Sequence, residues 1–535
     1  MKKLIALLLA VIMVLSLVAC GSKESTTPET PAAEGGSASE QPAASGTGEA
    51  QKTLTIGTAQ DINNLNPQAQ NDQINNNCIT LTHQGLIYLM NPAEQEATGQ
   101  VYGSQIAESW EWEDDNTLVF HLFDGVKFSD GSPCTAEDCV YTFEMAMSPD
   151  AATSGNLGLL TGVEARDEKT FVIHTSAYSN DLLSTLAGRP MVIQSKAAWE
   201  SGAEEPWLIG TGQYKFESWT EGQQSVFVKN ENYWCTDTEG MNAPGVVDEI
   251  IFKPILEAAS RVIALQNGEI DVCIDPPAIE LSHIAEDSNL SLLQVSSERM
   301  HYLAFNMSGE PFGSNQKLRQ AIAMAINKDN IITVASEGLG TPAVTFFSQG
   351  FGYYDGYDPY PYDVEKAKAL LAEAGYPDGL TFTLYYAGSL KELMSQVIQS
   401  NLKEIGVNVN IEELETAALK SKLKEGDYEA CVYAWANDSA GPDNNVRPLF
   451  RTGSSSNRTH YSDEYINNLM DEALKETDSD KRLEMYKEIQ TYILDACPIV
   501  PCFYETISVG TNAKLQGFQP DTSGLHRFYD CYIEQ

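Results

Sequence analysis

An alternation of helical and strand patterns in the second half of the chain constrains its fold more than any other feature. Apolar residues recur every three or four positions after Ser314 and again after Asp363, which is the spacing of amphipathic helices. Short runs rich in β-forming residues lie between the later helices. Helix and strand therefore alternate over 363–374, 380–386, 391–405 and 407–411. Such alternation predicts an α/β fold.

The first 52 residues differ in composition from the rest of the chain. Two lysines precede an apolar run, residues 4–18, which is short for a membrane-spanning helix and typical of an export signal. The run ends in Leu17-Val18-Ala19-Cys20, which resembles the bacterial lipobox, in which the cysteine receives a diacylglycerol. We predict that residues 1–20 are a lipoprotein signal peptide and that Cys20 is the lipidation site. Residues 21–52 contain no large apolar side chain and predict a flexible tether.

Acidic residues outnumber basic residues by 75 to 33 in this chain of 535 residues, which gives a formal net charge of −42. Such a chain has little with which to neutralise phosphates, so we expect no nucleic-acid partner. We interpret the acidity as a source of solubility rather than as a means of steering a substrate. The hydrophobic content of 42% is enough for packed cores, and the length alone indicates about three or four of them.

Motifs of catalysis and of metal binding are missing from the sequence. It contains no HExxH, GxSxG, P-loop or CxxC pattern. Nine cysteines remain after Cys20; Cys134 and Cys139 are close enough to pair, as are Cys497 and Cys502, but their spacing fixes no connectivity and matches no zinc site. We therefore expect no enzymatic activity, no cofactor and no metal. A pair of glycosidase-like carboxylates stays open as an alternative, because acidic residues are so numerous.

A candidate binding segment runs from Asp427 to Val446. Residues 428–435 are rich in β-forming residues and predict a short buried strand, and Asp438 follows in a stretch that glycine and proline make a loop. Aromatic side chains followed by one carboxylate suit a cationic group, since a charge-assisted hydrogen bond contributes about 1.5–3 kcal/mol. The strand edge could also pair with an extended peptide. On these residues alone, the alternative is a surface turn in which Asp438 bonds its own backbone.

One long block of the sequence, residues 107–143, reads AESWEWEDDNTLVFHLFDGVKFSDGSPCTAEDCVYTF. Shorter blocks follow it in order: GTGQY at 210–214, KNENYW at 229–234, LQNGEID at 265–271, YLAFN at 302–306, EKAKALLAEAGY at 365–376 and IGVNV at 405–409. In wording and in order, these blocks resemble the extracellular solute-binding proteins of family 5, which serve ABC importers of oligopeptides and dipeptides. The resemblance extends from about Thr53 to the C-terminus.

The resemblance implies an α/β protein of the larger periplasmic-binding-protein type, with two lobes and an extra domain packed on the first lobe. It implies a monomer that captures di- or oligopeptides when the lobes close by a hinge motion. The permease subunits of an ABC importer would then receive the peptide. With a lipid at Cys20, the protein would be exported and anchored to the outer face of the cell membrane. The implied segments are 53–88, 194–298 and 506–535 for lobe one, 89–193 for the extra domain and 299–505 for lobe two.

The resemblance also implies a ligand site on lobe two. In this family an aspartate after a tryptophan anchors the α-amino group of the ligand, and the matching residue here is Asp438, which follows Trp435. The backbone from Tyr433 to Asn437 is expected to pair with the peptide. Three polar residues elsewhere are weaker candidates, and their alternative role is to fix the lobe interface. The candidate ligand-binding residues are thus Tyr433, Trp435, Ala436, Asn437 and Asp438, together with Asn306, Asn457 and Tyr461.

One position departs from the family pattern. Some oligopeptide binders carry an arginine three residues before the tryptophan, where it meets a ligand carboxylate, and this chain has Val432 there. The contact to the carboxylate, and with it the length of the ligand, therefore stays open. Two other functions also stay open: a receptor of the same fold for another solute, such as a nickel chelate or an oligosaccharide, and an exported hydrolase. A retained Asp438 disfavours a sugar, because a sugar has no ammonium group to neutralise.

Overall fold

The structure is a computed structural model, and it describes residues 52–69, 72–148, 151, 157–188, 191–237, 242–347, 356–436 and 441–534. Three candidate functional residues, Cys20, Asn437 and Asp438, lie outside the described residues, as do the predicted signal peptide and the predicted tether up to residue 51. Within the described ranges, no helix combines the length and the apolar composition that a bilayer crossing requires.

Helices and strands alternate along much of the described chain. The strands are β1 (Thr53–Thr58), β2 (Ile87–Leu89), β3 (Tyr102–Ser104), β4 (Ala107–Asp114), β5 (Thr117–Leu122), β6 (Leu160–Ala165), β7 (Thr170–Thr175), β8 (Tyr214–Thr220), β9 (Gln224–Lys229), β10 (Glu249–Pro254), β11 (Val272–Ile274), β12 (Leu290–Phe305), β13 (Gly340–Pro342), β14 (Thr381–Tyr386), β15 (Asn408–Glu413), β16 (Ala430–Trp435), β17 (Ile499–Asn512), β18 (Leu515–Gln516) and β19 (Tyr532–Ile533). The α-helices are α1 (Gln73–Thr82), α2 (Pro92–Thr98), α3 (Ala136–Met147), α4 (Leu182–Ala187), α5 (Lys196–Glu200), α6 (Ala258–Gln266), α7 (Leu281–Glu286), α8 (Gln316–Ala325), α9 (Lys328–Ala335), α10 (Val364–Glu373), α11 (Ser389–Glu404), α12 (Thr416–Glu425), α13 (Pro442–Phe450), α14 (Glu464–Lys475) and α15 (Ser479–Ala496).

One large sheet of eleven strands runs through the molecule in the order β15-β14-β16-β12-β17-β11-β1-β10-β9-β8, with β13 paired to β17. The two long strands at its centre, β12 and β17, are antiparallel to each other. Strands predicted for lobe two lie on one side of this central pair, and strands predicted for lobe one lie on the other. The central pair therefore connects both halves of the sheet.

The pairing of β12 with β17 is irregular near its middle. Ser296 pairs with Thr506, and the next pair toward lobe two is Met300 with Tyr504. Three residues of β12 thus lie opposite one residue of β17, which is a bulge that bends and twists a strand. The boundaries implied by the resemblance, 298/299 and 505/506, fall within this irregularity. A bend in the two strands that connect the halves is a suitable place for a hinge.

The halves of the sheet are mixed in direction, which fits the α/β class. In one half β1 is parallel to β10 and β11, and in the other β14 is parallel to β15 and β16.

The predicted alternation after residue 363 is confirmed, because α10, β14, α11 and β15 follow one another in that order. Asp363 caps α10, since its Oδ1 accepts a hydrogen bond from the Lys366 amide at 2.9 Å.

A separate sheet of four strands, in the order β4-β5-β7-β6, lies in the segment predicted for the extra domain. It has its own apolar core with α3, in which the rings of Phe143 and Phe171 lie 5.0 Å apart. Asp138 accepts a hydrogen bond from the amide of Thr135 at 2.9 Å, at the start of α3. Thr135 and Asp138 thus form a capping box at the start of this helix.

The nine cysteines after Cys20 are all free thiols, and eight of them are buried. Neither of the two pairs that are close in sequence, Cys134 with Cys139 and Cys497 with Cys502, is a disulfide in the structure. Burial raises the pKa of Cys502 to about 11, so this thiol has little thiolate character at neutral pH. The fold is held by packing rather than by these cysteines.

Candidate functional site

A cavity of about 1190 Å³ lies where the segments predicted for lobe one, the extra domain and lobe two meet. Its wall includes Leu293 and Val295 of β12, Tyr88 after α1, Leu183 of α4 and Pro442 at the start of α13. Pockets for small molecules usually measure about 300–1,000 Å³. The cavity is therefore large enough for a ligand of several residues.

Two arginines from different parts of the chain also line the cavity. Arg527, in the C-terminal segment, donates to the Leu89 carbonyl at 2.6 Å and lies 5.0 Å from the centre of the Tyr88 ring. Its guanidinium is 3.5 Å from the carboxylate of Glu94. Arg482, near the start of α15, lines the lobe-two side. Neither arginine was predicted from the sequence, because their neighbours in space are far away in sequence.

The segments predicted for the extra domain and for lobe two touch at the edge of the cavity. Asn180 donates through its amide Nδ2 to the Glu476 carbonyl at 2.6 Å. Asp181 accepts from the amide of Asp443 at 2.8 Å, through Oδ2. Burial and the nearby Asp443 carboxylate raise the pKa of Asp181 to about 7, against the opposing effect of Arg482. These contacts hold the start of α13 against the extra domain.

A network of ion pairs fixes α13 to the rest of lobe two. The Arg447 guanidinium pairs with both oxygens of Asp443 and donates to Asp471 Oδ1 at 2.8 Å. Arg451 donates to the same Asp471 carboxylate at 2.6 and 2.9 Å. These ion pairs therefore fix the position of α13 relative to α14.

Strand β16 has an edge that is only partly used. On one side it pairs with β12 over its full length, from Ala430 with Phe305 to Trp435 with Met300. On the other side its pairing with β14 stops at Cys431. From residue 432 to residue 435 this second edge has no strand partner among the described residues. An edge of this kind can accept the backbone of an extended chain.

Trp435 is the last residue of β16, at the end of this open edge and outside the lining of the 1190 Å³ cavity. It is paired with Met300, the residue at which the β12–β17 register shifts. Its indole nitrogen is buried and has no hydrogen-bond partner within the described part of the chain. Tyr433 has a different environment, with the Arg458 guanidinium 5.9 Å from its ring centre. The structure thus puts Trp435, followed by Ala436, next to the candidate hinge.

The other three candidate residues lie apart from Trp435 and make bonds within lobe two. Asn306 donates from Nδ2 to the carbonyls of Gly426 and Tyr428, both at 2.8 Å. Asn457 donates from Nδ2 to the carbonyl of Tyr461 at 2.8 Å, and Tyr461 itself is buried. None of the three lines the 1190 Å³ cavity. These contacts fit the alternative role in holding the lobe together, and a role in ligand binding stays a prediction.

Asp438 and Asn437 lie outside the described residues, and the nearest described positions are Ala436 and Gly441. On the N-terminal flank is Ala436, directly after β16. On the C-terminal flank is Gly441, which lines the cavity. The described residues on either side of Asp438 thus lie directly after the open strand edge and in the cavity wall. Among the described residues, no group of three or more His, Cys, Asp or Glu side chains is arranged to hold a metal ion.

Comparison with known proteins identifies the family. The family model for bacterial extracellular solute-binding proteins, family 5, matches residues 102–457. Heme-binding protein A of Haemophilus influenzae is 27% identical over 478 residues, covering 80% of this chain and 84% of that protein. The dipeptide-binding protein of Escherichia coli is 27% identical over 467 residues, covering 80% and 86%.

A solved structure leads to the same family. It is the ABC transporter-associated periplasmic binding protein DppA from Helicobacter pylori in complex with the peptide STSA, with a TM-score of 0.72 and 25% identity. The match covers 91% of this chain and 99% of that one. The expectations of the larger two-lobed fold and of a non-enzymatic protein are confirmed. The chain belongs to the bacterial extracellular solute-binding proteins of family 5, which are binding proteins for small solutes that work with ABC transporters.

Proposed function

We propose that this protein is a lipid-anchored receptor that captures di- or oligopeptides between its lobes and delivers them to an ABC importer. The observation that carries the proposal is the open edge of β16, from residue 432 to residue 435. An extended peptide can add to such an edge through main-chain hydrogen bonds, which do not depend on the peptide's side chains. A receptor that accepts peptides of varied sequence needs contacts of this kind.

The ends of a peptide provide the second part of the proposal. Asp438 would receive the ammonium group at the N-terminus of the peptide, because a buried cation needs a carboxylate partner. The flanking residues support this role, since Trp435 lies beside the candidate hinge and Gly441 lines the cavity. Closure of the lobes would expel water and strengthen this ion pair.

The carboxylate end of the peptide needs a different partner, because Val432 occupies the position where some relatives carry an arginine. Arg482 and Arg527 both line the cavity and are the candidates for this contact. A guanidinium suits a carboxylate because it can donate two parallel hydrogen bonds. The names of two similar proteins, a dipeptide-binding protein and a DppA solved with a peptide, support a peptide as the ligand.

The lipid anchor is the third part of the proposal, and it rests on the sequence before residue 21. Replacing Cys20 by serine is expected to move the protein from the membrane fraction to the medium or periplasm, because the serine cannot carry a thioether-linked diacylglycerol. Two acyl chains are enough for stable anchoring, since each buried methylene contributes about 0.8 kcal/mol. Fractionation of cells with detection of the protein by immunoblot measures this. Membrane association that is undiminished in the Cys20→Ser variant would contradict the anchor.

Native mass spectrometry of the protein as purified tests the identity of the ligand. The proposal predicts bound masses that correspond to di- or oligopeptides and that are released on unfolding. A bound heme, nickel chelate or oligosaccharide would instead assign the protein to another solute within the same family. Turnover of an added peptide or glycoside would contradict the binding function itself.

A further inference from the structure

Helix α13 begins without a capping side chain of its own. Its N-cap residue is Gly441 and its first residue is Pro442, so the first amides to need an acceptor are those of Asp443 and Asn444. Both are bonded to the carboxylate of Asp181, with 2.8 Å between the Asp443 nitrogen and Oδ2. Asp181 is 262 positions away from Asp443 in the sequence. The helix is therefore capped from the extra domain.

A second contact supports the same junction. The amide of Gly441 donates to the hydroxyl of Ser184 at 2.9 Å. The lack of a side chain at Gly441 is necessary for this approach, because a Cβ atom there would lie 2.4 Å from Asp181 Oδ2. The backbone of Gly441 has a φ of −72°, which any residue can adopt. Glycine is thus required by the close contact with Asp181 and not by its own conformation.

We propose that Asp181 and Ser184 form a closure latch, which caps α13 only when the extra domain and lobe two are together. This latch rests on the proposed peptide-binding function, and Asp181 is a positioning residue for the ligand site. In an open form, the amides at the start of α13 would have only water as a partner. Closure supplies the acceptor and fixes the start of α13, which lines the cavity at Gly441 and Pro442. Closure and the position of this part of the cavity wall are then coupled.

The latch is expected to respond to pH. The groups that face Asp181 are Asp443 and the amides of α13, together with Arg482 and Tyr486 of α15. In the latched form the pKa of Asp181 is raised to about 7, mainly by burial and secondly by the Asp443 carboxylate. Exposure to water in an open form would return it to about 3.9. At a pH between these two pKa values, closure is accompanied by uptake of a proton at Asp181, so a lower pH favours closure. Peptide affinity is expected to rise roughly tenfold between pH 8 and pH 6 through this group.

Three variants test the latch by calorimetry and stopped-flow binding. Asp181→Ala is expected to weaken peptide binding by about tenfold, mainly through faster release, because the cap is lost after the ligand has entered. Gly441→Ala is expected to have a similar effect, since its Cβ displaces Asp181 while the backbone of lobe two is unstrained. Asp181→Asn keeps a neutral acceptor, so its affinity is expected to stay within about threefold of the wild type. The peptide affinity of Asp181→Asn should also change less between pH 6 and pH 8 than that of the wild type, because the asparagine does not titrate.

Asp363→Ala is the matched control, because Asp363 caps α10 from within lobe two. It is expected to lower the melting temperature without changing peptide affinity. If Asp181→Ala and Gly441→Ala bind peptide as tightly as Asp363→Ala does, the latch is wrong.

Small-angle scattering of the ligand-free and ligand-saturated proteins separates the two proposals. A wild-type protein that binds no peptide contradicts the proposed function, whereas equal compactness of wild type and Asp181→Ala under all conditions contradicts the latch.

Discussion

Replacing Asp438 by alanine is expected to weaken the binding of a peptide with a free N-terminus by at least tenfold, which corresponds to about 1.4 kcal/mol. The loss would be larger, about 2–5 kcal/mol, where the ammonium stays buried without a partner. Isothermal titration calorimetry with one defined peptide measures the change. Unchanged affinity would remove the role of Asp438 as the ammonium anchor.

A matched control for this variant is Asp378→Ala. Asp378 is also a loop aspartate of lobe two, and its side chain is exposed. Its replacement removes the same charge from the protein but leaves the cavity intact. Peptide affinity should therefore equal that of the wild type. A comparable loss in both variants would mean that net charge, rather than a specific ion pair, determines binding.

Replacing Arg319 by methionine is expected to lower the free energy of unfolding by about 3 kcal/mol or more. Arg319, in α8, is 4% exposed. Its guanidinium donates to the carbonyl of Ala496 at 2.6 and 3.1 Å, to that of Cys497 at 3.2 Å and to that of Phe312. These contacts cap the end of α15 immediately before the central strand β17. Methionine fills similar space but leaves buried carbonyl oxygens without donors.

Urea unfolding followed by circular dichroism measures the effect. Arg166→Met is the control, because Arg166 lies on the surface of the extra domain and pairs there with Glu113. Exposed ion pairs contribute about 0–1 kcal/mol, so this variant should unfold almost as the wild type does. Equal stabilities of the Arg319→Met and Arg166→Met variants would show that the carbonyl contacts of Arg319 contribute little.

The elements that the sequence predicts well are those with local signals. Asp363 precedes a helix with regular apolar spacing, and the bond that caps this helix spans three residues. The strand before Asp438 was likewise predicted from its composition and is β16. In such cases the partner groups lie within a few positions of each other, so one short window of sequence contains the whole interaction.

Residues whose partners are distant in sequence were not predicted. Asp181 is an ordinary aspartate in the sequence, and only the fold brings it to the start of α13. Arg319 lies in the amphipathic helix predicted after Ser314, and nothing local indicates that its guanidinium reaches the end of α15. The unpaired edge of β16 is also non-local, since it depends on where β14 ends. The pair Gly441-Pro442 is a local indication of the contact with Asp181. Glycine has no side chain to cap the start of α13, so the helix needs an acceptor from elsewhere.

Calorimetric titration of the ligand-free protein with one peptide, in its free and its N-acetylated forms, tests peptide capture most directly. Acetylation removes the positive charge and keeps the backbone that would pair with β16. The account predicts that the free peptide binds and that the acetylated peptide binds at least tenfold more weakly, about 1.4 kcal/mol. Equal affinity for the two forms, or binding of neither, would contradict it.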